Sequence, residues 1–307
     1  MNSQPPRLDR DAAKRHDLDF LEAQLSAPGT RLLPIWKGQP FARAGELLLT
    51  TLARGRELLE AGGELVWLGN FDGASLFALD VTPLEAPLSS AALSDSQPSE
   101  LRALVNELAP NYGELALYAR ALLSWHERHR FCGVCGQPTR PRDGGHTRLC
   151  TNPGCGTQHF PRTDPCVLVL VHDGAHCLLA RSPGWPAGMH SALAGFVEPG
   201  ESLEGAAARE VFEETGIAID VERYVASQPW PYPASLMIGF VARAHSHELT
   251  LDKSEIAEAR WVSRAELAAL IEARELAPPG ALPSGFYVPR RSALAGQLIA
   301  AFARGEL

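Results

Sequence analysis

What the 307-residue chain lacks narrows its possibilities first. No run approaches 18 consecutive apolar residues, so no ordinary membrane-spanning helix is expected and no membrane partner with it. The start, MNSQPPRLDRDAAKRHD, has no apolar core of a secretory leader, and the expected location is the cytoplasm. The end, Gly305-Glu306-Leu307, is not a peroxisomal tripeptide of the SKL kind. Positive charge is scarce: 28 Lys and Arg against 36 Asp and Glu leave a net charge of −8, which argues against general coating of nucleic acid but leaves room for a local basic site. Cysteine is limited to 6 residues, and with no sign of secretion a disulfide framework is a poor reading of them. What remains is a chain with 45% hydrophobic residues, long enough for two domains and a small insert.

The densest chemistry lies in GFVEPGESLEGAAAREVFEETGI, from Gly195 to Ile217. On a helix, Glu210 and Glu214 fall about 40° apart and Glu213 about 60° to the other side of Glu210, so three carboxylates share one face. Like charges at that spacing repel. Arg209 stands four residues before Glu213 and can orient it, but one guanidinium cannot neutralise the cluster. Crowded hard oxygen ligands suit Mg²⁺ or Mn²⁺, which takes its remaining ligands from water and substrate phosphates. Leu203, Ala207, Val211 and Ile217 form an apolar face that can dock on a sheet, with Ser202 expected as N-cap and Gly216 as the C-terminal stop. The loop from Gly195 to Gly200 lets backbone approach a metal and a phosphate closely.

Gly195, Glu201, Arg209, Glu210, Glu213, Glu214 and Gly216, with apolar Val211 and Ile217, resemble the box of the Nudix hydrolases at every specified position. Chance would produce such a match less than about once in a million chains of this length. The resemblance implies metal-dependent hydrolysis of a nucleoside diphosphate linked to another group, with a carboxylate taking a proton from the attacking water. Which glutamate is the base stays open.

Upstream, apolar runs at Arg31 to Trp36, Glu46 to Thr50, Glu64 to Gly69 and Ser75 to Val81 suit strands. The last two flank Asn70-Phe71-Asp72-Gly73, a hairpin signal. Residues 1 to about 30 are polar, with a loose extreme end expected. The first domain, residues 1–125, therefore reads as mainly β and without a catalytic constellation. Ser89 to Glu100 reads as a loop, and helical spacing follows at Leu101 to Leu108 and from Tyr112 to about His129.

Cys132 and Cys135, then Cys150 and Cys155, sit on turn-like knuckles and describe a closed tetrahedral thiolate site for structural Zn²⁺, a ribbon over residues 126–160. The second pair has four intervening residues where two is usual, which leaves His146 or His159 as a substitute ligand. Cys166 and Cys177 lie in apolar runs and read as buried thiols. Between His126 and Arg162, six arginines (128, 130, 140, 142, 148 and 162) face Glu127 and Asp143, a local +4 that a solvated surface or a site for phosphates or an RNA end would explain.

Residues 161–307 follow with Cys166 to Val171 as a buried strand, Cys177 to Arg181 and His190 to Val197 as further strands, the acidic helix, a capping-box spacing at Ser263 to Glu266, and a last amphipathic helix with Leu294, Leu298, Ile299 and Phe302 on one side. That order predicts an α/β/α sandwich with a mixed sheet. Ser227-Gln228-Pro229-Trp230-Pro231-Tyr232-Pro233-Ala234-Ser235 alternates proline with aromatics and reads as an extended rigid loop outside any ladder. Its aromatics suit stacking on a base or nicotinamide ring, and Gln228 or Ser235 could bond a ring edge; an edge segment packing into the core is the bland alternative.

A zinc ribbon, a Pro161-Arg162-Thr163-Asp164-Pro165 segment, a complete box and SQPWPxPxS together resemble the NADH pyrophosphatase family of Nudix hydrolases, from about Trp125 to the end. The resemblance implies cleavage of NADH, and of NAD⁺, to the nicotinamide mononucleotide and AMP, a homodimer, and in related members removal of a NAD cap from RNA 5′ ends. It implies a degenerate Nudix fold for the first domain. It places Mg²⁺ or Mn²⁺ ligands at Glu210, Glu214, the Ala194 carbonyl and Glu255, with Glu258 the nearby alternative; Glu213, Arg209 and Glu201 complete the catalytic set. Substrate contacts fall on Phe196, on Gln228 through Ser235 and on the backbone of Ala295. Phe160 stands where some members have a tyrosine that reaches into the partner subunit's site. Hydrolysis of ADP-ribose or another nucleoside diphosphate derivative is the rival activity; a non-catalytic nucleotide sensor is a third reading.

Overall fold

The computed structural model describes residues 8–85, 87–278, 281 and 283–307. The loose end expected of the first residues concerns residues 1–7, which lie outside them. The chain forms two compact units, Met1–Arg162 and Thr163–Leu307.

In the first unit, β1 (Leu8–Asp9), β2 (Arg31–Trp36), β3 (Gln39–Arg43), β4 (Glu46–Leu47), β5 (Thr50–Thr51), β6 (Glu64–Phe71), β7 (Ala74–Asp80) and β8 (Gln97–Pro98) make one sheet in the order β1-β6-β7-β2-β3-β4, with β5 on β2 and β8 on β3. Asp72 and Gly73, at φ 50° and 80°, close the expected hairpin between β6 and β7 in the left-handed geometry that such two-residue turns need. Helices α1 (Leu18–Ser26), α2 (Leu52–Glu60), α3 (Leu101–Leu104) and α4 (Pro110–Arg128) accompany the sheet. The helix expected over Leu101 to Leu108 ends after one turn. Leu32, Phe41, Trp67 and Leu79 form the centre of the core. Each such buried side chain contributes about 2 kcal/mol relative to exposure.

α4 delivers the chain into a three-stranded ribbon of β9 (Thr139–Arg142), β10 (Thr147–Cys150) and β11 (Gln158–His159). The ribbon packs inside the first unit. His126 Nε2 donates to the Gly145 carbonyl at 2.7 Å and His146 Nε2 to the Trp67 carbonyl at 2.8 Å. A Cβ at Gly145 would sit 2.9 Å from both Val66 methyl groups, so glycine lets this close approach occur.

The second unit is the mixed sheet expected: β12 (Asp164–His172), β13 (His176–Arg181), β14 (Leu193–Phe196), β15 (Ile219–Trp230), β16 (Ser235–Ala244) and β17 (Glu258–Ser263), in the order β15-β16-β12-β13-β17 with β14 on β12. β12 and β16 run parallel and the other pairs antiparallel. Alternation along β12 explains the layers. Val167, Val169 and Val171 pack with Ala207 and Val211 of α5 (Leu203–Thr215), whereas Leu168 and Leu170 pack with Leu267 of α6 (Arg264–Leu276) and with Leu294, Leu298 and Phe302 of α7 (Leu294–Ala303). A strand covered on both faces reads as a continuous apolar run. Ser263 caps α6 by accepting from the Glu266 amide, but the Glu266 carboxylate turns to Arg260, so only half of the capping box forms.

A further expectation is corrected. Ser227 to Trp230 is a ladder strand: Ser227, Gln228, Pro229 and Trp230 pair with Ile238, Met237, Leu236 and Ser235. β15 is the sheet's edge, where one side of the strand needs no donors and a proline is tolerated.

Candidate active site

α5 begins where its sequence says it should. Ser202 Oγ accepts from the Gly205 amide at 3.0 Å, and Gly216, at φ 73°, ends the helix with its amide on the Phe212 carbonyl. With Ala207, Val211 and Ile217 in the core, the charged residues fall on another side of the helix, where Glu213 is exposed and Glu214 buried.

Arg209 organises those charges with all its donors. Nε and Nη2 hold the two oxygens of Glu201 at 2.8 and 2.9 Å, Nη1 reaches Glu210 at 2.8 Å and Glu213 at 3.0 Å, and Nη2 also donates to the Phe196 carbonyl at 2.9 Å. The bidentate pair holds the Glu201 carboxyl down at about 2, chiefly through the Arg209 bonds. Spacing alone tied Arg209 to Glu213; the link to Glu201 was missed because Glu201 precedes the helix and carries no periodic signal.

Gly195 explains itself by contact: a Cβ there would fall 1.9 Å from the Glu210 carboxyl carbon. The glycine is a notch for that carboxylate. Desolvation raises the Glu210 pKa against the pull of Arg209. Glu214 is more extreme. It is 6% exposed, its Oε2 is buried with no hydrogen-bond partner, and desolvation, followed by the charges of Glu210 and Glu255, pushes it up to about 8. A buried orphan carboxylate oxygen beside two other acids is a poor arrangement for a bare protein and a good one for a divalent cation. Glu213 is exposed.

The segment after β16 hangs from the end of α5, with the Thr250 amide on the Thr215 carbonyl at 2.9 Å and the Asp252 amide on the Glu214 carbonyl at 3.1 Å. That attachment brings Glu255 within electrostatic reach of Glu210 and Glu214. Glu258 is engaged elsewhere, with Arg181 at 2.8 Å and His190 at 3.5 Å. Ala194 lies on β14 opposite Leu168, next to the Gly195 notch.

Trp230 ends β15 and Ser235 begins β16, directly paired. The Trp230 and Tyr232 rings meet edge to face at 5.2 Å, and the Asp164 amide donates to the Ala234 carbonyl at 2.7 Å. Pro231 and Pro233 complete this tip. The Gln228 amide is tied to the chain at α7: Nε2 donates to the Ser292 carbonyl at 2.8 Å and Oε1 accepts from the Leu294 amide at 2.7 Å. Ala295 is the second residue of α7 and buried. Phe196 and, in the first unit, Phe160 are exposed aromatics, at 57% and 63%.

The four ribbon sulfurs all lie within 4.8 Å of one another, with Cys132 and Cys155 3.8 Å apart and Cys135 and Cys150 3.4 Å apart. Around a tetrahedral zinc, sulfurs stand about 3.8 Å apart. His159 Nε2 approaches Cys132 Sγ at 3.3 Å as a second-layer contact, and His146 is buried on Trp67, so neither imidazole replaces a cysteine. Arg148 is not on the basic surface: it is buried, donating to Thr139 and to His126 Nδ1. Arg128, Arg130, Arg140, Arg142 and Arg162 are exposed. Among the described residues no helix is long and apolar enough to cross a membrane.

Comparison with known proteins assigns three consecutive domains. Residues 29–125 match the NADH pyrophosphatase-like rudimentary NUDIX domain, residues 127–160 the NADH pyrophosphatase zinc ribbon domain and residues 162–281 the NUDIX domain. The chain is 39% identical over 280 residues to the NAD-capped RNA hydrolase NudC of Mycobacterium bovis, covering 87% of this chain and 86% of that protein. It is 44% identical over 205 residues to the NAD-capped RNA hydrolase NudC of Stutzerimonas stutzeri, covering 66% and 71%. The NAD-capped RNA hydrolase NUDT12 of Homo sapiens is 44% identical over 190 residues, which cover 59% of this chain and 39% of that longer protein.

Proposed function

Because the chain belongs to the NADH pyrophosphatase family of the Nudix hydrolases, we propose that it cleaves the pyrophosphate of NADH to reduced nicotinamide mononucleotide and AMP, acts likewise on NAD⁺, and removes the NAD cap from RNA 5′ ends as its relatives' names describe. The observation that carries this reading is the acidic cluster of α5, in which a buried, unpartnered Glu214 oxygen lies beside Glu210 within electrostatic reach of Glu255. Glu210, Glu214, Glu255 and the Ala194 carbonyl would hold Mg²⁺ or Mn²⁺, and the four ribbon cysteines Zn²⁺. When bound, the divalent ions neutralise charge on the phosphoryl oxygens and lower the pKa of the attacking water.

The residues do the rest. Arg209 fixes Glu201, Glu210 and Glu213 and, through the Phe196 carbonyl, the loop after Gly195, so the carboxylates are oriented before substrate arrives. A water oxygen bonds to one phosphorus, the bridging P–O bond breaks, and a glutamate of this cluster takes the water's proton. Trp230 and Tyr232 supply ring faces for a base or nicotinamide. In a cytoplasmic homodimer, exposed Phe160 stacks in the partner subunit's site. Sedimentation of the pure protein as a monomer at working concentration would overturn the dimer.

Product analysis tests the reaction. The protein with Mg²⁺ or Mn²⁺ is given NADH, NAD⁺, ADP-ribose and a NAD-capped RNA in parallel. AMP and reduced nicotinamide mononucleotide, formed from NADH with the highest kcat/KM among the small molecules, is the expected result. Preference for ADP-ribose would keep the chemistry and remove the role of the Trp230 tip; no cleavage at all would leave a nucleotide sensor.

A further inference from the structure

α7 starts without a cap of its own. Its N-cap position is Ala293, in an extended conformation (φ −95°, ψ 144°) with no side chain to accept from the first turn. A helix start leaves its first amides without intrahelical partners, and alanine is among the poorest residues there. The structure supplies the acceptor from another element. Gln228 Oε1, on the edge strand β15, takes the Leu294 amide at 2.7 Å, while its Nε2 donates to the Ser292 carbonyl at 2.8 Å. The side-chain amide thus straddles Ala293 and bonds the backbone on both sides of it.

The helix has a second anchor on the same sheet. A Cβ at Gly239, opposite Ala226 on β16, would lie 3.2 Å from Leu294 Cδ2 and 3.3 Å from Leu298 Cδ1, so α7 sits directly on β16 there. Hydrophobic packing at Gly239 seats the helix; the polar clamp at Gln228 sets where its first turn meets the strand. Along β15, Ala226, Gln228 and Trp230 share one face by alternation, and Ala226 packs in the cluster that holds Leu294 and Leu298. Gln228 therefore sits one step along the strand from Trp230, with its amide plane fixed by two bonds.

We infer that Gln228 is a positioning residue: it caps α7 from the neighbouring strand and so aligns the Trp230 tip with the start of that helix, rather than reading the substrate ring itself. This rests on the dinucleotide reading of the site. It makes the motif a clamp plus a stacking surface, with different residues in each role.

The test is a rescue. Gln228→Ala removes the cap; adding Ala293→Ser restores an acceptor at the helix start by a route that brings no group to Gln228's place. For NADH hydrolysis, Gln228→Ala should raise KM about five-fold with kcat within about two-fold, since the chemistry at α5 is untouched, and should lower Tm by a few degrees. The double variant should recover Tm to near the wild-type value while KM stays raised, because a cap within α7 does not join that helix to β15. In a Trp230→Ala background, Gln228→Ala should add no further rise in KM, since Gln228 acts through that tip; a further rise of about five-fold there would mean that Gln228 touches the substrate and that the inference is wrong. An unchanged KM in Gln228→Ala also overturns it. If the wild-type protein does not cleave NADH, the dinucleotide reading is what fails, and recovery of Tm in the double variant still establishes the cap.

Discussion

Glu214 is buried in the wall of α5, and desolvation favours its neutral form, whereas the proposed metal site needs it ionised. Replacing it with glutamine keeps the shape and removes the charge. Glu214→Gln should cut turnover by orders of magnitude without unfolding the protein; a near wild-type rate would take the residue out of the mechanism. Stability gives an independent check. Its pKa rises from 4.5 unfolded to about 8 folded, so the native state binds the proton more tightly and metal-free stability falls as pH rises through that window. Wild-type, metal-free protein should lose roughly 1 kcal/mol per pH unit from this group between those values, measured by denaturant unfolding, and the glutamine variant should not. If the two slopes match, burial is not what raises Glu214. At this scale the spacing of Glu210, Glu213 and Glu214 was legible because a helix period converts directly into a shared face. The Glu201 contact and the Gln228 clamp were not, because each joins residues from different elements, and no periodicity records such a meeting.

Between elements, the ribbon meets α4 through the neutral imidazole of His126 and β6 through that of His146. His126 donates from Nε2 to Gly145 and must therefore accept at Nδ1 from Arg148; His146 donates to Trp67. Desolvation, the largest cause for each, pushes both down to about 4 from 6.5. The unfolded chain binds these protons more readily, so their contribution is intact above pH 6.5 and is lost as pH falls toward 4. His146→Gln, which keeps a donor for Trp67, should flatten the acid limb of stability by roughly 1 kcal/mol per pH unit; an unaltered limb would mean that the histidine charges without cost. The other element with a testable role is the β15–β16 tip. Trp230→Ala should raise KM or lower kcat for NADH while leaving the metal dependence alone, and unchanged kinetics would return the tip to scaffold. Its proline pattern suggested a loop, since proline weakens a ladder; that β15 is an edge depends on the whole sheet order, which the local sequence does not contain.

For the molecule as a whole, three sequence segments make two compact units, and the ribbon belongs to the first of them. Gly145, His146 and Arg148 of the ribbon are buried against Val66, Trp67 and α4, so the ribbon and the rest of the first unit should respond to zinc together. The Nudix sheet, by contrast, has complete clusters on both faces built from residues after Thr163. Chelation of zinc, followed by return of Mg²⁺ alone, should therefore deprotect the amides of residues 127–160 and of β6 in hydrogen exchange, while those of α5 and β12 stay protected. Restoring zinc should reverse the change. Equal deprotection of α5 would mean that the two units unfold as one, and an unaltered ribbon would mean that the four thiolates are not what holds it.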